Sequence, residues 1–508
     1  MSRGARVSQP LVARLEATAE AFPRRIALQQ AHRRLDYAGL RDAASRFARS
    51  LRAGGVEPGD RVAVVLHNGI EAAIAWYGAW RAGAVVVPLN AQARERDFVP
   101  WLRHSGARLL VHGAGHDDAA RAAAEAGVPV IVPVADGDPV LAFAADGIAD
   151  AEAAMPDADA LAAILYTSGT TGAPKGVALS HRNLAANTAS ILDYLQLGAE
   201  DSTVSALPFY YAYGASVLHT HLAVGARVVL EDNVVFPHLV TEALARERAT
   251  GFSGVPSTFA LLLDRGQLDQ HDLSSLRYLT QAGGAMAPAL ASRVREAFPR
   301  ARLFVMYGQT EASARLTWLP PERLDDKLGS AGVPIAGVEL QVRREDGSEA
   351  AVGEPGEVWA RGDNVMTGYW GSPEATAATL VDGWLRTGDL GHRDADGFLW
   401  LAGRRSDMIK TGAHRVHPQD VEEVIAELAG VREVGVTGLD DPLLGQVVAA
   451  FVVRDGDAPT EMAVKAHCRQ RLAGYKIPKQ VAFVAELPKT ASGKIRRAAL
   501  KGTADEQA

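Results

Sequence analysis

Between Tyr166 and Gly176 the chain reads Tyr-Thr-Ser-Gly-Thr-Thr-Gly-Ala-Pro-Lys-Gly. The apolar run Ala162 to Tyr166 precedes it, so a strand feeds a loop that carries Gly169, Gly172 and Gly176. Glycines at that density let backbone N–H groups approach phosphate oxygens closely. Thr167 opens the loop, Ser168, Thr170 and Thr171 add hydroxyl donors, and Lys175 adds a point charge. The Walker A spacing is absent, and Gly176 follows the lysine where Ser or Thr should stand. That disfavours a P-loop phosphotransferase. Taken alone, the segment is either a phosphate cradle or a surface loop of turn formers.

Two other spacings invite chemistry. His219 and His221 stand two apart, as paired ligands on one face of a strand would. No third ligand accompanies them, and ordinary histidines are the plainer reading. Cys468 lies with Val464 and Leu472 in a helix-like pattern that reads as packing. As the single cysteine it permits no internal disulfide and no multi-cysteine zinc site, and it suits a reducing compartment.

The elements that must position such a loop follow from periodicity. Leu40, Ala44, Phe47 and Leu51 fall on one helical face, and Gly54 and Gly55 stop it. Val62 to Leu66 reads as a buried strand, Glu71 to Ala82 as a helix and Ala84 to Val87 as another strand. This alternation implies an α/β fold with parallel sheets covered by helices on both faces. Residues 135 to 160, rich in Ala and Asp, read as an exposed connection. Beyond Gly403 to Asp407, Pro418 and an acidic turn open a helix with Val421, Val424, Ile425 and Leu428 inward. Strands at Val434 to Val436 and Val447 to Val453 follow, giving a unit of about a hundred residues able to fold alone.

The chain has 508 residues, 48% of them apolar, enough for large cores. Its net charge of −7 leaves no broad basic footprint for nucleic acid. The most hydrophobic stretch, Ala72 to Leu89, holds Arg81, Gly83 and Pro88 and makes a poor membrane span. No apolar run near the start reads as a signal peptide, and a cytoplasmic enzyme is the expectation.

Companion motifs extend the first segment along the chain. Leu207-Pro-Phe-Tyr-Tyr-Ala-Tyr-Gly214 is aromatic, Gln281-Ala-Gly-Gly-Ala285 is a turn, and Met306-Tyr-Gly-Gln-Thr-Glu311 carries an acid. Arg386-Thr-Gly-Asp389, Gly403-Arg-Arg-Ser-Asp-Met-Ile-Lys-Thr-Gly412 and Pro488-Lys-Thr-Ala-Ser-Gly-Lys494 follow in order. The set resembles the AMP-forming acyl- and aryl-CoA synthetase, adenylation-domain and luciferase superfamily, from Asn68 and Glu71 to Lys494.

The resemblance implies a large N-terminal domain of stacked α/β sheets binding ATP and acid (residues 1–402), a hinge (403–407) and a smaller mobile α+β domain (408–508). It implies that ATP turns a carboxylate into an acyl-adenylate, after which a thiol displaces AMP. Lys494, Glu311 and Thr170 become the catalytic set, with Thr170 and Glu311 holding Mg²⁺. Thr310 donates to the α-phosphate and Tyr307 stacks on adenine. Gly283, Gly284, Ala285, Gly308 and Gln309 close around the nucleotide. Asp389 accepts both ribose hydroxyls, and Arg404 reinforces from the hinge side. Phe209, Tyr210, Tyr211, Ala212, Tyr213 and Gly214 form the acyl gate. Ser406, Lys410, Gly412 and Arg415 lie at the hinge and the thiol-side loop. Singly, each residue has a duller reading: Glu311 a surface carboxylate, Asp389 a turn residue, Arg404 a hinge ion pair, Lys494 a solvated lysine.

Three departures from the family pattern matter. Tyr211 stands where His is common, and tyrosine cannot become cationic at neutral pH. Ala212 stands where enzymes acting on α-amino acids usually carry Asp, which disfavours such substrates. Ser406 occupies the hinge position, commonly Asp or Lys, with Asp407 beside it. Tyrosine-rich walls then point to an acid with a neutral apolar tail, aliphatic or aromatic. The expected thiol is coenzyme A. The alternatives are an acyl carrier protein as acceptor, or a non-catalytic nucleotide-binding protein on the same fold.

Overall fold

The helix Tyr37–Ala53 forms where the apolar spacing predicts it, with Leu40, Ala44, Phe47 and Leu51 all buried. Asp36 caps it, its carboxylate accepting from the Gly39 N–H at 2.7 Å. The next helix, Ile70–Arg81, is buried nearly all round, with Trp76, Tyr77 and Trp80 in the core. Gly78 allows the two to touch, since a Cβ there would lie 2.8 Å from the Ala44 carbonyl oxygen.

In this computed structural model the described residues are 9–134, 155–167, 175–231, 236–404, 407–411, 414–441, 444–489, 495–497 and 499–500. The greater part of the 135–160 connection lies outside them. A seven-stranded sheet runs in the order Gly368–Tyr369, Lys175–Ser180, Leu161–Thr167, Val85–Pro88, Arg61–Val65, Ala107–Gly113, Val130–Val134. Its last five strands are parallel, and helices join Arg61–Val65, Val85–Pro88, Ala107–Gly113 and Val130–Val134 in succession as the alternation requires. A nine-stranded sheet has Arg302–Tyr307, Tyr278–Gln281, Gly251–Gly254, Ser202–Ser205, Arg227–Leu230 and Ile26–Gln30 as its parallel centre.

Parallel pairing is not the whole fold. Val338–Arg343, Gly356–Gly362, Trp384–Arg393, Leu380–Val381 and Leu399–Arg404 form an antiparallel sheet that the helix–strand alternation does not predict. No long helices separate these strands, so they pair through short turns. The fourth sheet joins Ile409–Thr411, His414–Val416, Val431–Asp441, Gly445–Arg454 and Gln480–Phe483. The helix Pro418–Ala426 packs Val421 and Ile425 into its core beside Val464 and Cys468. Burial pushes the Cys468 thiol up to about 11, consistent with packing. No described helix is long and apolar enough to cross a membrane.

Candidate active site

The strands Trp384–Arg393 and Leu399–Arg404 pair with Asp389 opposite Arg404. Gly388 before it has φ +72°, a left-handed backbone that glycine adopts without strain. Asp389 is buried, and its N–H donates to Thr387 Oγ1 at 3.1 Å. Arg404 Nε lies 3.3 Å from Asp389 Oδ1, and the Tyr307 hydroxyl donates to Oδ2 at 2.6 Å. The Asp389 charge raises the Arg404 pKa against the opposing effect of burial. Burial, then the Asp389 charge, lifts the Tyr307 phenol well above its ordinary value, so it stays a donor. Tyr307 ends a strand of the nine-stranded sheet, so this carboxylate is held where two sheets meet.

After Tyr307 the chain turns sharply. A Cβ on Gly308 would sit 2.2 Å from the Ala314 carbonyl oxygen, which only glycine avoids. The turn delivers Thr310 and Glu311 in a short 3₁₀ helix, Thr310–Ala312. Glu311 Oε1 accepts from the Tyr369 hydroxyl at 2.8 Å, while Oε2 accepts no hydrogen bond among the described residues. Lys175 Nζ stands 5.5 Å above the Tyr369 ring, so the end of the phosphate loop and Glu311 share this tyrosine. Gln309 Nε2 is buried without a partner among the described residues. Gly283 takes φ +85° after the strand Tyr278–Gln281, and Gln281 Nε2 donates to the Gly284 carbonyl at 2.8 Å, closing the turn before Ala285.

Asn68 clamps the aromatic segment. Its Nδ2 donates to the Leu207 carbonyl at 2.7 Å, and its Oδ1 accepts from the Phe209 N–H at 2.9 Å. Gly214 makes the fold-back possible, because a Cβ would lie 2.2 Å from the Pro208 oxygen. Phe209 is buried in the core, and the Tyr210 and Tyr211 rings pack 4.5 Å apart, half-buried. Ala212 opens the helix Ala212–Leu222. Tyr213 turns inward instead, donating to the Thr280 carbonyl at 2.8 Å. Of the tyrosines, Tyr210 and Tyr211 are left for a gate.

His219 and His221 lie in that helix and not on a strand, so residues two apart point about 200° away from each other. His219 Nδ1 lies 3.2 Å from the Tyr77 hydroxyl, and His221 Nε2 lies 2.6 Å from the Tyr278 hydroxyl. Burial lowers them to about 3 and about 4, so both are neutral packing groups. Among the described residues no cluster of His, Cys, Asp and Glu could hold a metal.

In the small sheet, Lys410 is exposed, its N–H donating to Gln446 Oε1 at 3.0 Å, with Arg415 opposite in register. Lys489 and Ile495 form an antiparallel bridge. Arg497 donates to both oxygens of Glu422, at 2.9 and 2.7 Å, and to Asp407 at 3.2 Å, tying this segment to the start of the small domain's sheet. Thr167 ends its strand, but Ser168, Gly169, Thr170, Thr171, Gly172, Ser406, Gly412 and Lys494 lie outside the described residues. Sequence reasoning assigned no role to Tyr369 or Arg497, and no local motif marks either.

Residues 15–370 match the AMP-binding enzyme family, and residues 420–494 match the AMP-binding enzyme C-terminal domain. The chain belongs to the AMP-binding enzyme family. This AMP-binding enzyme is 37% identical over 476 residues to a feruloyl-CoA synthase of Amycolatopsis sp, covering 93% of this chain and 94% of the relative. It is 34% identical to an oxalate–CoA ligase of Arabidopsis thaliana, over 96% and 98% of the two chains. Its fold matches the crystal structure of the anthranilate CoA ligase AuaEII in complex with anthranoyl-AMP, at a TM-score of 0.91 and 27% identity over 99% of each chain. The superfamily, the α/β fold and the AMP-forming acyl-CoA ligase activity that the motif set implies hold for this AMP-binding enzyme.

Proposed function

We propose that Asp389, Arg404 and Tyr307 hold the ribose and base of ATP while Glu311, Thr310 and the phosphate loop hold its phosphates. The observation that carries this assignment is the turn from Tyr307 to Glu311, whose first residue binds the Asp389 carboxylate and whose last is a second carboxylate bound by Tyr369. Asp389 is fixed between Tyr307 and Arg404, and Glu311 keeps one oxygen without a donor among the described residues. A carboxylate with an uncommitted oxygen suits a hard cation, which prefers oxygen ligands. Glu311, with Thr170, would hold Mg²⁺, which when bound offsets phosphate charge.

In the first half-reaction an oxygen of the acid attacks the α-phosphorus, and the bond to the β-bridging oxygen breaks as pyrophosphate leaves. Bringing two anions together opposes this step, so oriented donors and cations must act there. Thr310 donates to the α-phosphate, Arg404 and Lys175 supply charge, and Lys494 bridges the two anions. Tyr210 and Tyr211 close the acyl side against water. In the second half-reaction the thiolate of coenzyme A attacks the acyl carbon and AMP leaves. Residues 403–407 act as the hinge that reorients residues 408–508 between the steps, bringing the segment of Lys410, Gly412 and Arg415 towards the thiol tunnel.

Pyrophosphate release over a panel of carboxylic acids, with and without coenzyme A, tests this reading. AMP, pyrophosphate and an acyl-CoA should appear in equal amounts. Turnover that ignores coenzyme A and requires a carrier protein would replace the acceptor. ADP as product would overturn the mechanism.

A further inference from the structure

One short segment holds Glu311 at two points. The Met366 N–H donates to its main-chain carbonyl at 2.9 Å, and the Tyr369 hydroxyl donates to its Oε1 at 2.8 Å. With carbonyl and carboxylate both bound, the side chain loses most of its freedom to turn. The same segment is the edge strand of the seven-stranded sheet, with Tyr369 opposite Val177 and the Trp370 N–H donating to the Gly176 carbonyl at 2.8 Å. Gly176 closes the phosphate-loop motif, and Lys175 Nζ lies 5.5 Å from the centre of the Tyr369 ring. The Tyr369 N–H donates to Thr376 Oγ1 at 2.9 Å, which fixes the main chain behind the ring. Residues 366–370 therefore strap the end of the phosphate loop to the turn that carries Glu311.

The chemistry of the donor matters as much as its place. Lysine or arginine would orient the carboxylate and cancel its charge, whereas a phenol is neutral and orients it with the charge intact. Among the described residues no lysine or arginine lies within ion-pair distance of Glu311. Arg404, raised by the Asp389 charge and more weakly by that of Glu311, pairs with Asp389 instead. A carboxylate fixed in direction and left with its full charge suits a hard cation carried on phosphates. Carboxylates that ligate metals are commonly held by hydrogen bonds of this kind, which set their orientation.

We propose that Tyr369 is a positioning residue for the first half-reaction: its hydroxyl sets the direction in which Glu311 meets the metal–triphosphate unit, and its main chain keeps the end of the phosphate loop in step with that carboxylate. This rests on the nucleotide-site reading given above and deepens it. Tyr369 acts through Glu311 and has no part in the second half-reaction, which needs neither pyrophosphate nor its metal.

Tyr369→Phe removes the hydroxyl and keeps the ring beside Lys175. Calorimetry of the full-length protein reads binding of the Mn²⁺ complex of α,β-methylene-ATP, which cannot release pyrophosphate, and separately of AMP in EDTA. The variant should bind the Mn²⁺ complex about 10- to 100-fold more weakly and form adenylate more slowly by a similar factor. Its affinity for AMP, its melting temperature and its rate of thioester formation from prepared acyl-AMP should stay as in the wild type. In a Glu311→Ala background the same substitution should change binding of the Mn²⁺ complex little, because no carboxylate is left to orient. Unchanged binding of the Mn²⁺ complex by Tyr369→Phe, or an equal loss of AMP affinity, overturns the proposal while leaving the nucleotide site intact. If Glu311→Ala alone binds the Mn²⁺ complex as the wild type does, the metal reading of Glu311 falls and this inference with it. Should Tyr369→Phe fail to fold, meta-fluorotyrosine at position 369 decides. Its fluorine resonance should shift with the Mg²⁺ complex of the analogue and stay in place with AMP; no shift, or the same shift with AMP, overturns the proposal.

Discussion

The Tyr307 hydroxyl and the Asp389 carboxylate, 82 residues apart and on different sheets, are joined by a 2.6 Å hydrogen bond. Together with Arg404 on the other oxygen, this fixes the orientation of the carboxylate. Asp389→Ala should raise the KM for ATP by about 10- to 150-fold for each charge-assisted bond lost, worth about 1.5–3 kcal/mol. The KM for the acid should move much less. Tyr307→Phe should show a smaller rise of the same kind, about tenfold. Initial rates with ATP and acid varied in turn separate the two constants, and an unchanged ATP KM removes Asp389 from the nucleotide site.

In the function proposed above, Lys494 acts in the first half-reaction and not in the second. Lys494→Ala should slow adenylate formation by about 10²–10³-fold, as losses of comparable electrostatic donors do. Given chemically prepared acyl-AMP and coenzyme A, the same variant should form thioester at close to the wild-type rate. Equal losses in both steps, in a variant with an unchanged melting temperature, would refute the hinge rotation near Ser406.

Gly308→Ala should displace the turn that carries Thr310 and Glu311, because the new methyl would meet the Ala314 oxygen and the Arg315 Cα, 2.7 Å away. Overpacking of this kind destabilises by about 1–3 kcal/mol, and a displacement near 1 Å can lower activity about 10²-fold. Gly198→Ala, where a Cβ meets nothing within 4 Å, is the control and should be neutral. Melting curves and kcat/KM for the two variants check the contrast.

His219 and His221 predict an acid limit to stability. Their folded pKa values, about 3 and about 4, lie below the ordinary 6.5, so as pH falls the unfolded chain takes up protons first. Their contribution is complete above about pH 6.5 and is lost progressively down to about pH 3–4. At pH 5 each represents about 2 kcal/mol. Urea unfolding at pH 7.5, 6 and 5 should show the fall, and His219→Leu should make its slope shallower by about one proton. An unchanged slope would mean that His219 ionises freely in the folded state.

Sequence alone determined which residues could do chemistry here and roughly where the large elements lie. The helix Tyr37–Ala53 is legible because its apolar face repeats locally. Three things required the tertiary structure. One was the placing of His219 and His221 in a helix, since two residues carry no period. Another was the role of Tyr369, which reaches Glu311 from 58 positions away. The last was the inward turn of Tyr213, whose hydroxyl donates to the Thr280 carbonyl 67 positions away. Backbone sterics and periodicity act over a few residues and leave their mark in the string of letters. Which side chains meet across two sheets depends on how those sheets pack, and no short segment encodes that.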